Sequence, residues 1–391
     1  MSDKEYMLRA IELAKNGIGW ANPNPMVGAV IVKDGKIIGE GYHKKCGEFH
    51  AERSAFAGLK ESAEGATIYV TLEPCCHYGK QPPCTEAIIE NKIKRVVIGS
   101  RDPNPLVSGK GAKLLREKGI IVEEDFLREE CDKINPVFFH YITTKKPYVV
   151  MKYAMTMDGK IATKTGASKW ITGEKAREYV QGQRRQYAAI MAGIGTVLAD
   201  DPMLNVRIPD EDIKKEFINH NIKNDTLDYL PAHQPVRIVI DSKLRIPTDS
   251  KIVKTASEYK TIVFYNKNEA EKYLADEFNK KKAELEKSEV ILLDCPDENG
   301  QVNLAGVIDY LGEEKIDSVY IEGGGQLHEA AMKAGIVNHV SAYIAPKIFG
   351  GKDAKTPVEG SGISEVCEAM KLHITDTKLL GEDILIEADV E

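Results

Sequence analysis

The sequence predicts an α/β protein of two domains, and three features of the chain lead to this prediction. Its 391 residues exceed what one ordinary hydrophobic core organises. Strand-like and helix-like segments alternate along both halves, which is typical of layered α/β domains. The run Lys145-Lys146-Pro147 interrupts that alternation. We therefore expect one domain over residues 1–145 and a second over residues 146–391.

The first half begins with a helix and a hairpin. Asp3–Asn16 has the apolar periodicity of a helix, and Asp34-Gly35 is a strong turn signal between two apolar strands, Val27–Lys33 and Lys36–Tyr42. Helices and strands then alternate. We expect helices at 50–60, 84–92 and 109–118, and strands at Thr67–Leu72, Arg95–Gly99 and Ile120–Glu123.

The second half repeats the alternation around a polar interruption. Residues 208–234 predict an insertion or a long loop, and Lys267–Lys287 predicts one charged amphipathic helix with a solvated outer face. Strands are expected at Tyr148–Ala154, Ala188–Ala192, Val236–Ile240, Thr261–Tyr265, Val290–Leu293, Ser318–Ile321 and His339–Ala345, with two β-rich runs at Leu372–Lys378 and Asp383–Ala388.

Composition and net charge limit the classes of function that this protein can have. Hydrophobic residues make up 42% and charged residues 29% of the chain, as in soluble globular proteins. No apolar run is long enough to cross a bilayer, and the first residues resemble neither a signal peptide nor a transit segment, so we expect a cytoplasmic protein without membrane contact. The net charge of −7 argues against a broad nucleic-acid surface but is compatible with a local basic pocket for a small anion.

Seven cysteines, an odd number, favour free thiols over a disulfide framework, and three of them fall between positions 75 and 84. With the His50-Ala51-Glu52 motif, this cluster indicates a catalytic zinc site. Such a site has three protein ligands and leaves the fourth position to water, and His50, Cys75 and Cys84 supply one imidazole and two thiolates. Zinc acidifies that water, and Glu52 is placed to take its proton and pass it to a departing nitrogen.

Several neighbours leave alternatives open. The usual second motif is Pro-Cys-x-x-Cys, whereas here eight residues separate Cys75 from Cys84, so Cys76 and His77 are competing ligands. We prefer Cys75 because it follows a proline and Cys84 because Pro82-Pro83 starts a helix there. His43 is interpreted as ordinary hairpin packing or surface. A structural zinc site is the other reading, but it would normally have four protein ligands and gives no reason for a carboxylate beside the histidine.

A second site is indicated by a glycine turn. Glu322-Gly323-Gly324-Gly325-Gln326 follows an apolar strand and opens a helix-like stretch. Glycines there let the backbone approach a pyrophosphate, and a helix N-terminus favours its negative charge. A plain glycine-rich turn is the alternative, and the Rossmann fingerprint is absent.

The motifs together resemble those of the bifunctional riboflavin deaminase–reductase family. The similarity rests on the extended zinc motif and on the later segments KYAMTMDGKIA from Lys152, SKWITG from Ser168 and GIGTVLADDP from Gly193. It covers nearly all of the chain and is weakest in residues 208–234 and 266–316. It implies a cytidine-deaminase-like three-layer domain followed by a dihydrofolate-reductase-like domain. It also implies a homo-oligomer assembled through the reductase domain.

The resemblance further implies two consecutive reactions on small phosphoribosylaminopyrimidine substrates. The first is zinc-dependent hydrolytic deamination of 2,5-diamino-6-(5-phosphoribosylamino)pyrimidin-4(3H)-one. The second is NADPH-dependent reduction of the ribosyl group of 5-amino-6-(5-phosphoribosylamino)uracil to ribityl. The implied cofactors are Zn²⁺ and NADPH.

The resemblance also implies site residues, carried over position by position. Arg184 and Arg207 suit a phosphate because a guanidinium offers paired donors. Lys152 and Asp200 are candidate acid–base or orienting groups. The cofactor is expected at Ala154, Trp170, Thr196, Asp200, Ser242, Gly324, Gly325 and Gln326, and the substrate at Ser168, Arg184, Leu204, Arg207 and Glu322.

The turn Asp241-Ser242-Lys243-Leu244-Arg245 predicts the choice of nicotinamide cofactor. A 2′-phosphate needs hydrogen-bond donors and positive charge, whereas a bare 2′-hydroxyl is typically met by an acid. Alternation sends Asp241 and Ser242 to opposite sides, so we expect Ser242 to face NADPH with Lys243 or Arg245 as the cation.

Two other functions compete with this interpretation. An RNA-editing deaminase also uses a His-x-Glu motif with two cysteines, but the acidic balance and the whole second domain argue against it. A non-catalytic zinc-stabilised binding protein would leave Glu52 and the reductase motifs without a purpose.

Overall fold

The structure, a computed structural model, describes residues 1–79, 81–104, 107–213 and 230–391. The chain divides into two compact units, Met1–Lys145 with Ile208–His233 and Lys146–Arg207 with Gln234–Glu391. The polar segment predicted as an insertion or loop therefore groups with the first unit, although it interrupts the second in sequence. At its described end, the indole Nε1 of Trp20 donates to the Pro231 carbonyl at 2.7 Å. Residues 214–229 of that segment lie outside the described residues.

The first unit contains a five-stranded sheet of order β2-β1-β3-β4-β5. Strand β1 is antiparallel to both of its neighbours, whereas β3, β4 and β5 run parallel. The strands are Gly28–Lys33 (β1), Lys36–Tyr42 (β2), Thr67–Leu72 (β3), Arg95–Ser100 (β4) and Ile121–Glu123 (β5). The helices are Asp3–Ala14 (α1), Ala51–Ala57 (α2), Cys84–Glu90 (α3), Lys110–Glu117 (α4), Arg128–Asp132 (α5) and Pro136–Thr144 (α6).

Helices cover both faces of this sheet. The apolar side of α1 packs with Val30 and Tyr69 on one face. Side chains of α2, α3 and α4 pack with Ile31 and Ile68 on the other. Gly28 allows α1 to lie directly on β1, because a Cβ there would be 1.9 Å from the Ala10 carbonyl oxygen. The predicted three-layer domain is confirmed.

The second unit contains a nine-stranded sheet of order β10-β9-β8-β7-β11-β6-β12-β14-β13. Neighbours from β10 to β12 run parallel, and the β13–β14 hairpin adds two antiparallel strands at one end. The strands are Tyr148–Thr156 (β6), Ala189–Gly193 (β7), Val236–Ile240 (β8), Thr261–Tyr265 (β9), Val290–Asp294 (β10), Ser318–Glu322 (β11), His339–Ala345 (β12), Leu372–Leu380 (β13) and Asp383–Val390 (β14).

Helices pack on this sheet over two separate cores, one on each face. Successive residues of a strand enter different cores: Ile238 belongs to one and Val239 to the other, as the pleat requires. The helices are Glu174–Arg184 (α7), Ile194–Asp200 (α8), Lys251–Lys254 (α9), Lys267–Leu274 (α10), Phe278–Lys287 (α11), Leu304–Glu313 (α12) and Gly325–Lys333 (α13). Among the described residues, no helix has the length and apolar character that crossing a bilayer requires.

The prediction of one continuous helix over Lys267–Lys287 is wrong. Helix α10 ends at Leu274, a short 3-10 turn covers Ala275–Glu277, and α11 begins at Phe278. Ala275 has φ +48°, a left-handed conformation that a continuing α-helix does not contain. The charged periodicity was compatible with both arrangements, because the two helices present similar polar faces.

Candidate active sites

Three predicted zinc ligands meet at one edge of the first sheet. His50 is the N-cap of α2, Cys84 is the first residue of α3, and Cys75 lies in the loop after β3. The His50 Nδ1 atom is 3.6 Å from the Cys75 Sγ and 3.3 Å from the Cys84 Sγ. These donor atoms all lie within 4.8 Å of one another.

The donor set fits zinc. In a tetrahedron with Zn–S near 2.3 Å and Zn–N near 2.0–2.1 Å, a sulfur and a nitrogen ligand lie about 3.5 Å apart. The measured 3.6 and 3.3 Å separations match this spacing. Two thiols and one imidazole are ligands that zinc favours, and three protein donors leave one coordination position for water.

Neighbouring groups favour the thiolate form of Cys75, whereas the hydrogen bond with Cys75 and burial raise the pKa of Cys84. The Cys84 side chain and the His50 ring lower the pKa of the Cys75 thiol to about 4, against the opposing effect of burial. The Cys84 backbone N–H also donates to the Cys75 Sγ at 3.3 Å. Burial raises the pKa of the Cys76 thiol. Among the described residues, neither Cys76 nor His77 belongs to the donor cluster.

Glu52 lies beside these donors on the first turn of α2 and is 3% exposed. Burial and the charge of Cys75 raise the pKa of its carboxyl above its usual value. The carboxyl also hydrogen-bonds with Cys84. Because its pKa is raised and it lies beside the donor set, this carboxyl group is suited to proton transfer there.

Two further groups at this edge were missed by sequence reasoning. His43 is 3% exposed, its ring meets that of His50 edge-on at 5.4 Å, and its Nε2 is 3.1 Å from Asn24 Nδ2. Asp102 follows β4, and burial raises its pKa to about 6. The available signal for Asp102 was its position, since the carboxyl ends of parallel β3 and β4 share one edge.

The second unit brings the glycine turn beside Thr196. Gly323 and Gly324 have φ +153° and +25°, values that favour glycine, and a Cβ on Gly323 would lie 2.7 Å from the Thr196 Oγ1. Helix α13 begins at Gly325, and Gln326 follows it on the surface. The glycines thus let the backbone of the turn, at the start of α13, lie close to Thr196, an arrangement that suits the pyrophosphate of a dinucleotide.

The predicted substrate residues Arg184 and Glu322 contact each other. Arg184 donates from Nε and Nη2 to the two carboxylate oxygens of Glu322 at 2.5 and 2.8 Å, and both residues are buried. Lys152 Nζ lies 3.9 Å from the same carboxylate. Arg207 is exposed, and its Nη1 donates to Asn205. Of the two predicted phosphate partners, Arg207 is therefore the one with a guanidinium open to solvent.

Three further predicted residues, Ser168, Leu204 and Trp170, differ in their contacts and in their burial. The Ser168 hydroxyl donates to Asp200 at 3.1 Å, joining a predicted substrate residue to a predicted cofactor residue. Leu204 is 2% exposed, so its side chain belongs to the core. The Trp170 ring is 64% exposed and stacks on Arg177 at 4.7 Å.

Ala154 lies on a strand of the sheet, whereas Ser242 lies in the turn after another strand. Ala154 on β6 packs against the small cluster that contains Tyr343 and Leu385. Ser242 follows β8, and its hydroxyl donates to the Gln301 side chain at 3.2 Å.

A three-layer unit with a zinc-type donor set, joined to a mostly parallel α/β unit with a dinucleotide turn, defines a deaminase–reductase fusion. Residues 1–100 match the family model of the cytidine and deoxycytidylate deaminase zinc-binding region, and residues 147–386 match that of the RibD C-terminal domain. The riboflavin biosynthesis protein RibD of Actinobacillus pleuropneumoniae is 52% identical over 387 residues, covering 99% of this chain and 95% of the relative.

Solved structures agree over both units. The diaminohydroxyphosphoribosylaminopyrimidine deaminase/5-amino-6-(5-phosphoribosylamino)uracil reductase of Thermotoga maritima is 37% identical, with TM-score 0.80 over 99% of this chain and 98% of that chain. Form 1 of Acinetobacter baumannii RibD is 35% identical, with TM-score 0.82 over 100% and 99%. The chain belongs to the RibD family of bifunctional deaminase–reductases of riboflavin biosynthesis. An RNA-editing deaminase and a non-catalytic zinc protein are not favoured, because the relatives match across both halves.

Proposed function

We propose that the first unit deaminates 2,5-diamino-6-(5-phosphoribosylamino)pyrimidin-4(3H)-one and that the second reduces the ribosyl group of 5-amino-6-(5-phosphoribosylamino)uracil to ribityl with NADPH. The observation that carries the proposal is the buried Glu52 beside three zinc-type donors, in a chain whose other half matches the RibD C-terminal domain. The Thermotoga maritima relative is named for these two activities.

In the deaminase, His50, Cys75 and Cys84 hold the zinc ion. A bound zinc ion supplies Lewis-acid chemistry by lowering the pKa of a coordinated water toward neutrality. The Glu52 carboxylate accepts a proton from the attacking water and delivers it to the departing amino group, so that water is consumed and ammonia leaves. The His43 ring lies edge-on to the His50 ring, and the Asn24 side chain contacts His43. These two residues support the position of His50.

In the reductase, the protein binds and orients while the nicotinamide supplies the hydride. The turn from Gly323 to Gln326 and the neighbouring Thr196 hold the cofactor pyrophosphate. Arg207 offers its exposed guanidinium to the substrate phosphate. Glu322, kept ionised by Arg184, faces Lys152 in the middle of β6 and orients its ammonium group.

The turn after β8 supports the choice of NADPH. Asp241 is 0% exposed and its Oδ2 accepts the Ile246 backbone N–H at 2.8 Å, so the acid that would repel a 2′-phosphate is turned into the protein. Arg245 lies 3.8 Å from Asp241, on the same side as that acid. Ser242 and the exposed Lys243 are left as the donor and cation for the phosphate.

The chain is also proposed to form a homo-oligomer through the reductase unit, with a second copy on the β13 edge. Strand β13 is the last strand of the nine-stranded sheet. One edge of β13 pairs with β14, and its opposite edge has no partner strand in the described chain. It carries exposed apolar side chains at Leu372, Ile374 and Leu379. An apolar edge strand of this kind favours pairing with another chain.

A cytoplasmic location is proposed as well, supported by seven cysteines that are all free thiols. Recovery of the protein in the soluble cytoplasmic fraction of its host is the check, and recovery in an exported or membrane fraction contradicts it.

The decisive experiment incubates the zinc-loaded chain with the diaminopyrimidine substrate, with and without NADPH, and analyses products by mass spectrometry. Without NADPH the product carries a hydroxyl or keto oxygen in place of one amino group, and ammonia is released. With NADPH that product further gains a hydride and a proton. Release of ammonia from tRNA but not from this substrate would contradict the proposal.

A further inference from the structure

A fully buried arginine lies beneath the turn that carries part of the reductase site. Arg237 on β8 is 0% exposed, and its guanidinium lies within hydrogen-bond distance of five acceptors, one for each of its five N–H groups. None of these five acceptors is a carboxylate; they are three backbone carbonyls and two threonine hydroxyls. A buried cation without a counter-ion requires such complete hydrogen bonding, so the guanidinium dictates where its acceptors lie.

The acceptors belong to segments that are distant in sequence. Arg237 Nη2 donates to the Ile252 carbonyl in α9 at 2.7 Å and to the Tyr259 carbonyl at 3.1 Å, and Nη1 donates to the Thr255 hydroxyl at 2.8 Å. The same Nη1 donates to the Met203 carbonyl at 3.1 Å. One side chain thus joins the region around α9 to residue 203.

Met203 lies in the turn Asp201–Asn205, which contains two left-handed residues. Asp201 has φ +43° and Leu204 has φ +46°. Asp adopts this conformation more readily than most residues, but Leu rarely does, so contacts around the turn must hold Leu204 there. The Asp201 carboxylate accepts the Lys251 backbone N–H at 2.8 Å, and the Asn205 carbonyl accepts from Arg184 at 3.0 Å. Hydrogen bonds thus hold the turn at residues 201, 203 and 205, and Arg237 donates the one at residue 203.

The turn links the parts of the reductase site proposed above. Asp200 immediately precedes it, Leu204 is within it, and Arg207 follows two residues after it. Because the Leu204 side chain is buried in the core, any contact it makes with substrate is through its main chain. The orientation of that main chain depends on the carbonyl of the residue before it.

We propose that Arg237 is a positioning residue of the reductase site, which fixes the Asp201–Asn205 turn through the Met203 carbonyl. The inference rests on the proposed reductase function. Arg237 touches neither substrate nor cofactor and acts only through the turn. Its loss is expected to weaken the binding of the phosphoribosyl substrate more than it slows hydride transfer.

The test compares two variants of the full chain. Arg237→Lys keeps a cation but loses the planar fork, so it cannot reach the α9 region and Met203 together. We expect its KM for the phosphoribosylaminouracil to rise about 10-fold while kcat falls less than about 3-fold, because ground-state contacts are misplaced. The matched control, Thr255→Val, removes an acceptor on the α9 side and leaves the Met203 bond. Its KM is expected within about 2-fold of the unaltered enzyme.

Hydrogen exchange of peptides spanning 200–207 is the second readout. Exchange there should accelerate in Arg237→Lys and remain unchanged in Thr255→Val, and circular dichroism matching that of the unaltered chain is the check on folding for both. An unaltered KM in Arg237→Lys, or an equal rise in Thr255→Val, overturns the proposal.

A third variant covers the case in which Arg237→Lys does not fold. Thr261→Val removes the one acceptor that holds both Nε and Nη2 and so fixes the plane of the guanidinium, whereas Thr255 accepts only from Nη1. It should therefore accelerate exchange of the same peptides, and unchanged exchange overturns the proposal. If the unaltered chain does not reduce the substrate at all, the proposed function fails. The exchange result still decides whether Arg237 holds the turn.

Discussion

Arg184 and Glu322 form a buried two-point ion pair between α7 and the carboxyl end of β11, with Nε–Oε1 and Nη2–Oε2 distances of 2.5 and 2.8 Å. Although burial opposes it, the charges of Arg184 and Lys152 lower the pKa of the Glu322 carboxyl to about 2. The pair places a fixed negative charge beside Lys152. All three guanidinium nitrogens of Arg184 donate hydrogen bonds, Nε and Nη2 to Glu322 and Nη1 to the Asn205 carbonyl. Arg184 therefore organises the site from within the protein.

The pair is expected to be strongly coupled. Arg184→Met and Glu322→Gln each leave one group of a buried pair without its partner, and each should lower the free energy of unfolding by about 3–5 kcal/mol. The double variant should lose less than the sum of the two, because neither Arg184 nor Glu322 is then left without the other; Lys152 loses its carboxylate partner equally in the single Glu322 variant. Denaturant unfolding of the four proteins measures the coupling.

The pH dependence of the unfolding free energy is the control on that result. The folded-state pKa of Glu322 is depressed from its ordinary 4.5 to about 2, so its contribution is present above pH 4.5 and is lost as pH falls toward 2. The Glu322→Gln variant should lack this component. Additive losses in the double variant would show that the two residues act independently.

Zinc binding should depend on Cys84 and not on Cys76. Cys84→Ala removes one of three donors, so zinc content should fall from one ion per chain and ammonia release should stop. Cys76→Ala is the matched control and should keep both, because Cys76 lies outside the donor cluster. Plasma mass spectrometry of dialysed protein gives the metal content. Loss of zinc from the Cys76 variant alone would reverse the assignment.

Glu52 should be separable from zinc binding and from reduction. Glu52→Gln preserves shape but cannot carry the proton, so deamination should fall by about 10²–10⁴-fold while zinc remains bound. Reduction of already deaminated substrate should be unchanged, because the second unit has its own residues. The control is Glu48→Gln, an exposed acid near His50. Loss of both activities in a folded Glu52 variant would argue against independent sites.

Cofactor choice should follow Ser242. The unaltered enzyme is expected to have a much higher kcat/KM with NADPH than with NADH, and Ser242→Asp should reduce that preference by about 10-fold, since a carboxylate repels the 2′-phosphate. The NADH constant of the same variant serves as the internal control. Equal use of both cofactors by the unaltered enzyme would contradict this interpretation of the turn.

Assembly should depend on the β13 edge. Leu379→Glu places a charge on a side chain that is 76% exposed, and it should convert the oligomer to smaller species because burying the carboxylate in an interface is unfavourable. Ile121→Glu, on the edge strand β5 of the other sheet, is the matched control and should leave the assembly intact. Sedimentation velocity measures both. A monomeric unaltered protein would refute the proposed oligomer.

Much of the fold was predictable because strands and turns leave local signals. The predicted strands Thr67–Leu72, Val236–Ile240, Thr261–Tyr265 and His339–Ala345 match the structure residue for residue. The helix break at Ala275 was not predictable from charge periodicity, because the polar faces of two short helices resemble that of one long helix.

The zinc donors belong to the same predictable class. His50 and Cys84 each precede or begin a helix, and residue type together with the neighbouring prolines favoured them and Cys75 over Cys76 and His77. The sequence thus determined the α/β organisation, a candidate donor set and the glycine turn beside a helix start. Each of these rests on short motifs that can be recognised without the fold.

Only the tertiary structure decided how distant side chains pair. Arg184 was predicted to hold a phosphate, yet it meets Glu322, 138 residues further along the chain. His43 was interpreted as ordinary packing or surface, and it lies edge-on to His50. The physical reason is that a buried charge or ring takes the partner that adjoining strands and helices bring within hydrogen-bond distance. That adjacency arises from the order of strands in the sheet, which local periodicity does not contain.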